Sequence, residues 1–396
     1  MLTKLNLQDK LAARMSRLGT ETAFEVLAKA KALEAKGKHI VHLEIGEPDF
    51  DTPKNIVEAA KKALDDGYTH YNPSAGLPEF RDVIAETVSR THGIKVKREN
   101  VVVTPGAKPI MWYTILALCE EGDEVLYPNP GFPIYESVIN FTGATPVPIQ
   151  LKEEKEFVFD IEDFKSKISE KTKLVILNSP QNPTGGVLEE EDLKQIAKIA
   201  KEHSFMILTD EVYKEILYDG NKFHSIASDP ELQDRVIILD GFSKSYAMTG
   251  WRMGYGVMRE DLVTLIAKLE TNSDSCTCTF NQRACIEALT GPQDDVRQMV
   301  AEFEKRRNVI VKGLNEIPGI TCRNPKGAFY VFPNITGTGK TAEWLADYLL
   351  NEAGVACLAG TCFGKFGTGY LRFSYANSVA NIETALERID KAVRRL

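Results

Sequence analysis

The stretch "GFSKSYAMTGWRMG", Gly241 to Gly254, carries Lys244 and Arg252 eight residues apart among Gly, Ser, Ala and Met. It follows "RVIILD", a short apolar run of the buried-strand kind. A lysine behind a buried strand can act as a nucleophilic amine, and the arginine can hold an anion. Both can equally be ordinary loop cations. "VVVTPGAKPI" sets Gly106 and Ala107 between a strand and a helix start, where backbone N–H groups favour phosphate. Small residues there also make a plain turn. Asp210 closes a second apolar run, "FMILTD", as a site carboxylate or a helix cap, and Tyr71 in "HYNPSAG" taken singly is a surface aromatic.

The elements that must position these groups follow a rhythm. "KLVILNSPQNPTGG" reads as a strand ending at Leu177 and then a polar loop. "EEEDLKQIAKIAKEH" spaces Leu193, Ile196, Ala197 and Ala200 as one helix face, and "FMILTD" and "RVIILD" are further strands. Strand, loop, helix, strand is the βαβ pattern and predicts a mostly parallel sheet with helices on its faces, an α/β fold. "NVVVTPGAKPIMWYTILALCEEGDEVLYPNPGF" fits the same scheme. Ligands of open α/β sheets sit beyond the carboxyl ends of the strands, and Asn182, Asp210 and Lys244 fall at or just after such ends. Towards the C-terminus, "DDVRQMVAEFEKRRNVIVKGLNEI" predicts an amphipathic helix with Val296, Met299, Val300, Phe303, Val309, Ile310 and Leu314 as its stripe. The alternating segments after it predict a smaller α+β lobe. The expected division is a large domain over 47–300 and a small domain made of 1–46 and 301–396.

Bulk properties narrow the classes. The 396 residues are 43% hydrophobic, enough for a sizeable core, and the net charge of −8 is spread along the chain. That balance argues against a nucleic-acid groove or a basic membrane patch. No apolar run approaches the roughly 20 residues that span a bilayer. The N-terminal "MLTKLNLQDKLAARMSRLG" lacks the apolar core of a secretory signal and reads as a short helix or arm. Seven cysteines without a CxxC or a zinc-like cluster predict no metal site and reduced thiols in a cytoplasmic protein.

Together the pieces resemble the class I/II aminotransferases, the fold-type I enzymes that use pyridoxal 5′-phosphate (PLP). "GFSKSYAMTGWRMG" satisfies every constrained position of the signature around that family's PLP lysine, and "GEPDF", "YNPSAG", "NSPQNPTGG" and the late "LRFSYA" follow in the family's order. The resemblance covers residues 40–396. It implies that Lys244 holds the PLP aldehyde as a Schiff base and, once displaced, moves the substrate Cα proton. It implies that Ser243, Arg252 and the Gly106–Ala107 backbone hold the phosphate, and that Asp210 pairs with the pyridine nitrogen. Asn182 and Tyr213 are expected at the ring hydroxyl, Phe132 on the ring face, and Arg372 on the substrate α-carboxylate beside Gly46. Tyr71 is expected to reach the phosphate of a neighbouring subunit, which implies a homodimer with shared sites.

One fold hosts many reactions. An aminotransferase moving an amino group between an L-amino acid and a 2-oxo acid fits best. A PLP carbon–sulfur lyase shares the same lysine. A transcription regulator with an aminotransferase-like domain needs a DNA-binding domain for which this length leaves no room. Lys108, directly after the phosphate turn, matches a lysine that reads the distal carboxylate in a subgroup of aspartate aminotransferases, and it is also counted among the cofactor-site residues. Its other reading is a helix-start cation. Trp112, Tyr113 and Phe132 offer the competing prospect of a pocket for aromatic substrates, with alanine and prephenate as further candidates.

Overall fold

The computed structural model describes residues 6–396. Seven strands build the central sheet: β1 (Val101–Thr104), β2 (Glu124–Asn129), β3 (Thr145–Gln150), β4 (Thr172–Asn178), β5 (Met206–Asp210), β6 (Val236–Gly241) and β7 (Gly254–Val257). Their order is β1-β7-β6-β5-β4-β2-β3. β2 to β6 pair in parallel wherever they touch, whereas β7 runs antiparallel to both β1 and β6. The expectation of a mostly parallel sheet holds. The reversed β7 is the feature the pattern did not signal, because "GYGV" is four residues long and half glycine.

The parallel strands are continuous apolar runs because helices cover both faces. β4 buries Leu174, Val175, Ile176 and Leu177, and ends one residue later than expected, at Asn178. Val175 and Leu177 join one apolar cluster with the helix Glu190–Lys201, through Leu193, Ile196, Ala197 and Ala200. Leu174 and Ile176 join another on the opposite face, with Ile110 and Met111 of the helix Lys108–Leu118. This alternation is the two-residue period of a strand read out as two cores.

A third cluster gathers the C-terminal elements with Val41, Leu43, Tyr213 and Tyr218. The helix Asp294–Asn315 buries Val296, Met299, Phe303, Ile310 and Leu314 as its spacing predicts, with Val300 and Val309 half-buried. It also buries Arg306 and Arg307, which pair with Asp49 and Asp219 at 2.6 Å. Strands Tyr330–Val331, Leu358–Ala359 and Leu371–Ser374 form a small antiparallel sheet. The N-terminal arm consists of two 3-10 turns, Leu7–Lys10 and Ala13–Arg17, before the helix Thr22–Glu34; residues 1–5 of the predicted arm lie outside the described residues.

Candidate active site

A cavity of about 570 Å³ opens beyond the carboxyl ends of β4, β5 and β6. It is lined by Gly46, Ala107, Lys108, Phe132, Asn182, Asp210, Tyr213, Ser243, Lys244, Arg252 and Arg372. Of the residues expected at the cofactor, Gly106 and Tyr71 stand apart from that wall. Gly106 lies directly behind it, against Arg252. Tyr71 is 89% exposed and reaches nothing in the cavity.

Lys244 leaves the loop after β6 and donates to the carbonyl of Gly46. Burial, reinforced by the positive charge of Arg372, pulls its amine down to about 8. Asp210, the last residue of β5, is buried; its carboxylate accepts from the Tyr135 hydroxyl at 2.6 Å and from the Val212 N–H at 3.3 Å. Burial pushes that carboxyl up to about 6. Arg372 lies on the strand Leu371–Ser374, 4% exposed, and donates to the Glu44 carbonyl and to Asn182 Oδ1 at 3.2 Å. Its Nε has no hydrogen-bond partner among the described residues. A buried guanidinium left partly unsatisfied is costly unless an anion completes it.

The turn at Gly106 has its own geometry against Arg252. Gly106 sits at φ +91°, and a Cβ there would come within 2.4 Å of the Arg252 guanidinium. Arg252 is itself left-handed at φ 54°, and its Nη1 donates to the Thr249 carbonyl at 2.8 Å. A non-glycine in that conformation must be held by its surroundings. The segment 46–52 does this. Thr52 donates to the Ala247 carbonyl at 2.7 Å and accepts from Trp251 Nε1 at 2.9 Å, while Thr249 donates to Glu47. Gly46 is needed on different grounds, since a Cβ would lie 2.1 Å from the Tyr330 hydroxyl.

Three groups escaped the sequence reading. Tyr135 holds Asp210; its only signal was its place three residues after Phe132. Tyr330 meets the Tyr213 hydroxyl at 2.8 Å and lies 4.6 Å under the Arg372 guanidinium, in a segment expected only to belong to the smaller C-terminal lobe. Glu21 lines the cavity and pairs with Lys108, so that ammonium already has a partner. Trp112 and Tyr113 do not form a substrate wall. Trp112 packs on Phe141 at 5.4 Å, and the Tyr113 hydroxyl lies between Ser273 and Glu270.

No described helix is long and apolar enough to cross a membrane, and no described His, Cys, Asp and Glu side chains are grouped to hold a metal. Residues 38–389 match the family model for aminotransferase class I and II. The chain is 42% identical to the aspartate aminotransferase of Pyrococcus horikoshii over 91% of this chain and 92% of that protein. It is likewise 42% identical to a probable aspartate/prephenate aminotransferase of Aquifex aeolicus, over 98% and 99%. A solved aspartate aminotransferase from Rhizobium meliloti superposes with a TM-score of 0.94 at 35% identity, over 98% of this chain and 99% of that one. The fold, the composition of the cavity wall and these likenesses agree: the chain is an aminotransferase of the class I and II family.

Proposed function

We propose that this enzyme uses pyridoxal 5′-phosphate to pass the amino group of an L-amino acid to a 2-oxo acid in two half-reactions, with glutamate/2-oxoglutarate as one pair and aspartate/oxaloacetate as the other. One observation carries the proposal. A buried amine, a buried carboxylate with no cationic partner among the described residues, and a buried guanidinium line one cavity.

Those residues suit PLP. Bound PLP supplies an aldehyde that takes up amino groups and a ring that delocalises the electron pair left when a substrate Cα loses its proton. Arg252, Ser243 and the Ala107 N–H would hold its phosphate; the Gly106 N–H, expected there too, already donates to the Thr104 carbonyl at 2.8 Å. Asp210 would keep a proton on its pyridine nitrogen, the cation this buried carboxylate otherwise lacks. Asn182 and Tyr213 would hydrogen-bond its ring hydroxyl, and Phe132 would cover its face. Lys244 would hold the cofactor and then act as the base at the substrate Cα; an amine lowered to about 8 is deprotonated in about one molecule in ten at pH 7. Arg372, in the cavity wall, would clamp the substrate α-carboxylate through its guanidinium.

Lys108 is the cation that remains for a distal carboxylate. The competing reading, a broad or aromatic specificity that extends to alanine or prephenate, draws support from Phe24 and Phe132 in the same wall and from the prephenate in the name of the Aquifex relative. The exposed Tyr71 supports a homodimer in which it completes the partner's site. Seven free cysteines accord with a cytoplasmic setting. The large and small domains are assigned to 47–300 and to 1–46 with 301–396.

The test is stoichiometry. PLP-loaded protein given glutamate and oxaloacetate should form 2-oxoglutarate and aspartate one for one. Release of ammonia, or of pyruvate from a substrate bearing a leaving group, in place of exchange would point to a lyase instead.

A further inference from the structure

We propose that Glu21 is a specificity-determining residue: it competes with the distal carboxylate of a substrate for Lys108, so that one cavity takes dicarboxylic substrates by exchanging the ion pair and neutral ones by keeping it. The inference rests on the placement of Lys108 proposed above.

Glu21 occupies the position just before the helix Thr22–Glu34, with extended backbone (φ −93°, ψ 109°). Short side chains favour that position because they turn back and cap the first N–H groups. Glu21 makes no such bond. Its side chain instead enters the cavity and pairs with Lys108, across 87 residues of sequence. The carboxylate is the better shielded partner, 18% exposed against 46% for the lysine. Its charge also reaches Lys244 and Arg372, partly offsetting the burial that lowers both amine and guanidinium. Glu21 therefore sits in the wall as an acid among the cavity's cations.

The remaining cations have other work. Arg252 is proposed for the cofactor phosphate and Arg372 for the α-carboxylate, so an incoming second carboxylate has Lys108 left in the wall. A dicarboxylic substrate must displace Glu21, trading one carboxylate for another at the same ammonium. A neutral side chain meets a pair that is already neutralised. It also meets apolar walls, since Phe24 lines the cavity and the Lys108 ammonium lies 5.4 Å over the Phe132 ring. Discrimination is then a difference between two affinities, set by how strongly Glu21 holds its partner.

The test uses the full-length, PLP-loaded protein with Glu21→Gln, which keeps shape and removes charge. Half-reactions with aspartate and phenylalanine are measured separately, together with inhibition by succinate, an unreactive dicarboxylate, and by propionate. The aspartate-to-phenylalanine ratio of kcat/KM should rise about tenfold, mostly through a lower KM for aspartate. Succinate should bind more tightly by a similar factor and propionate should not. In a Lys108→Ala background the same substitution should change neither ratio. An unchanged ratio with unchanged succinate binding, or weaker aspartate and succinate binding, overturns the inference. Absence of amino transfer from every donor in the unsubstituted enzyme would instead overturn the proposed function.

Discussion

Lys244 and Asp210 share a cavity, yet each takes a neutral partner: the Gly46 carbonyl for the amine, the Tyr135 hydroxyl for the carboxylate. Neither charge is cancelled, so both groups stay available, and the free protein bears the cost. Asp210 is held near 6, above the usual carboxylate value of 3.8. A carboxyl raised by folding contributes stability that is present below its unfolded pKa and is lost as pH rises through its folded one. The loss here falls between pH 3.8 and about 6. Asp210→Asn should therefore stabilise the cofactor-free protein by about 1–3 kcal/mol at pH 8, with the gain vanishing towards pH 4. Activity should fall by at least about 100-fold, some 2.7 kcal/mol of transition-state stabilisation. Melting curves at the two pH values check the first part; a variant less stable than the parent at pH 8 would show that the charge is not unpaired. Asp210 was legible because it ends an apolar run. Tyr135 was not, because a buried tyrosine on a helix looks in sequence like any core aromatic.

At the scale of elements, the loop 241–254 is shaped by a segment about 200 residues earlier in the chain. Ala247 and Arg252 are both left-handed without being glycine, and the bonds from Glu47 and Thr52 hold them there. The sequence showed "GEPDF" and the lysine loop as separate landmarks; only the fold shows that one braces the other. Gly106 is where the proposed anion cradle is tightest. Gly106→Ala forces a left-handed alanine into the Arg252 guanidinium. The expected result is a PLP affinity lowered at least about tenfold, or 1.4 kcal/mol, with the melting temperature of the free protein lowered as well. Equilibrium titration with PLP measures it, and unchanged affinity would remove Arg252 from the cradle. The strand β7 stayed hidden for a related reason: glycines that let backbones approach closely also erase the β signal.

The whole molecule sets the cavity where the sheet's two cores meet the third, C-terminal cluster. The βαβ rhythm and the Lys244 loop made this plan readable in advance, because burial on both faces forces continuous apolar strands. The Glu21–Lys108 pair was unreadable, since nothing local in either segment points to the other. Leu7, Leu11, Met15, Leu18 and Tyr71 are exposed, and the proposed homodimer would give such side chains a partner. Sedimentation should give twice the chain mass of 44.1 kDa. Chains carrying Lys244→Ala and Tyr71→Ala, folded together, should form mixed dimers in which one site has both parental residues. That site should regain parental PLP affinity. If the mixture binds PLP no better than the Tyr71→Ala protein alone, Tyr71 does not act across the interface.

Everything proposed for the site depends on Lys244 being the amine that carries the cofactor and then works on the substrate. Borohydride reduction of the PLP-loaded protein, followed by peptide mapping, tests it most directly. One pyridoxyl group per chain is expected, on the peptide containing Lys244, and none on Lys108 or Lys214. A label on another lysine, or a Lys244→Ala protein that still fixes the cofactor and turns over at the parental rate, would contradict it.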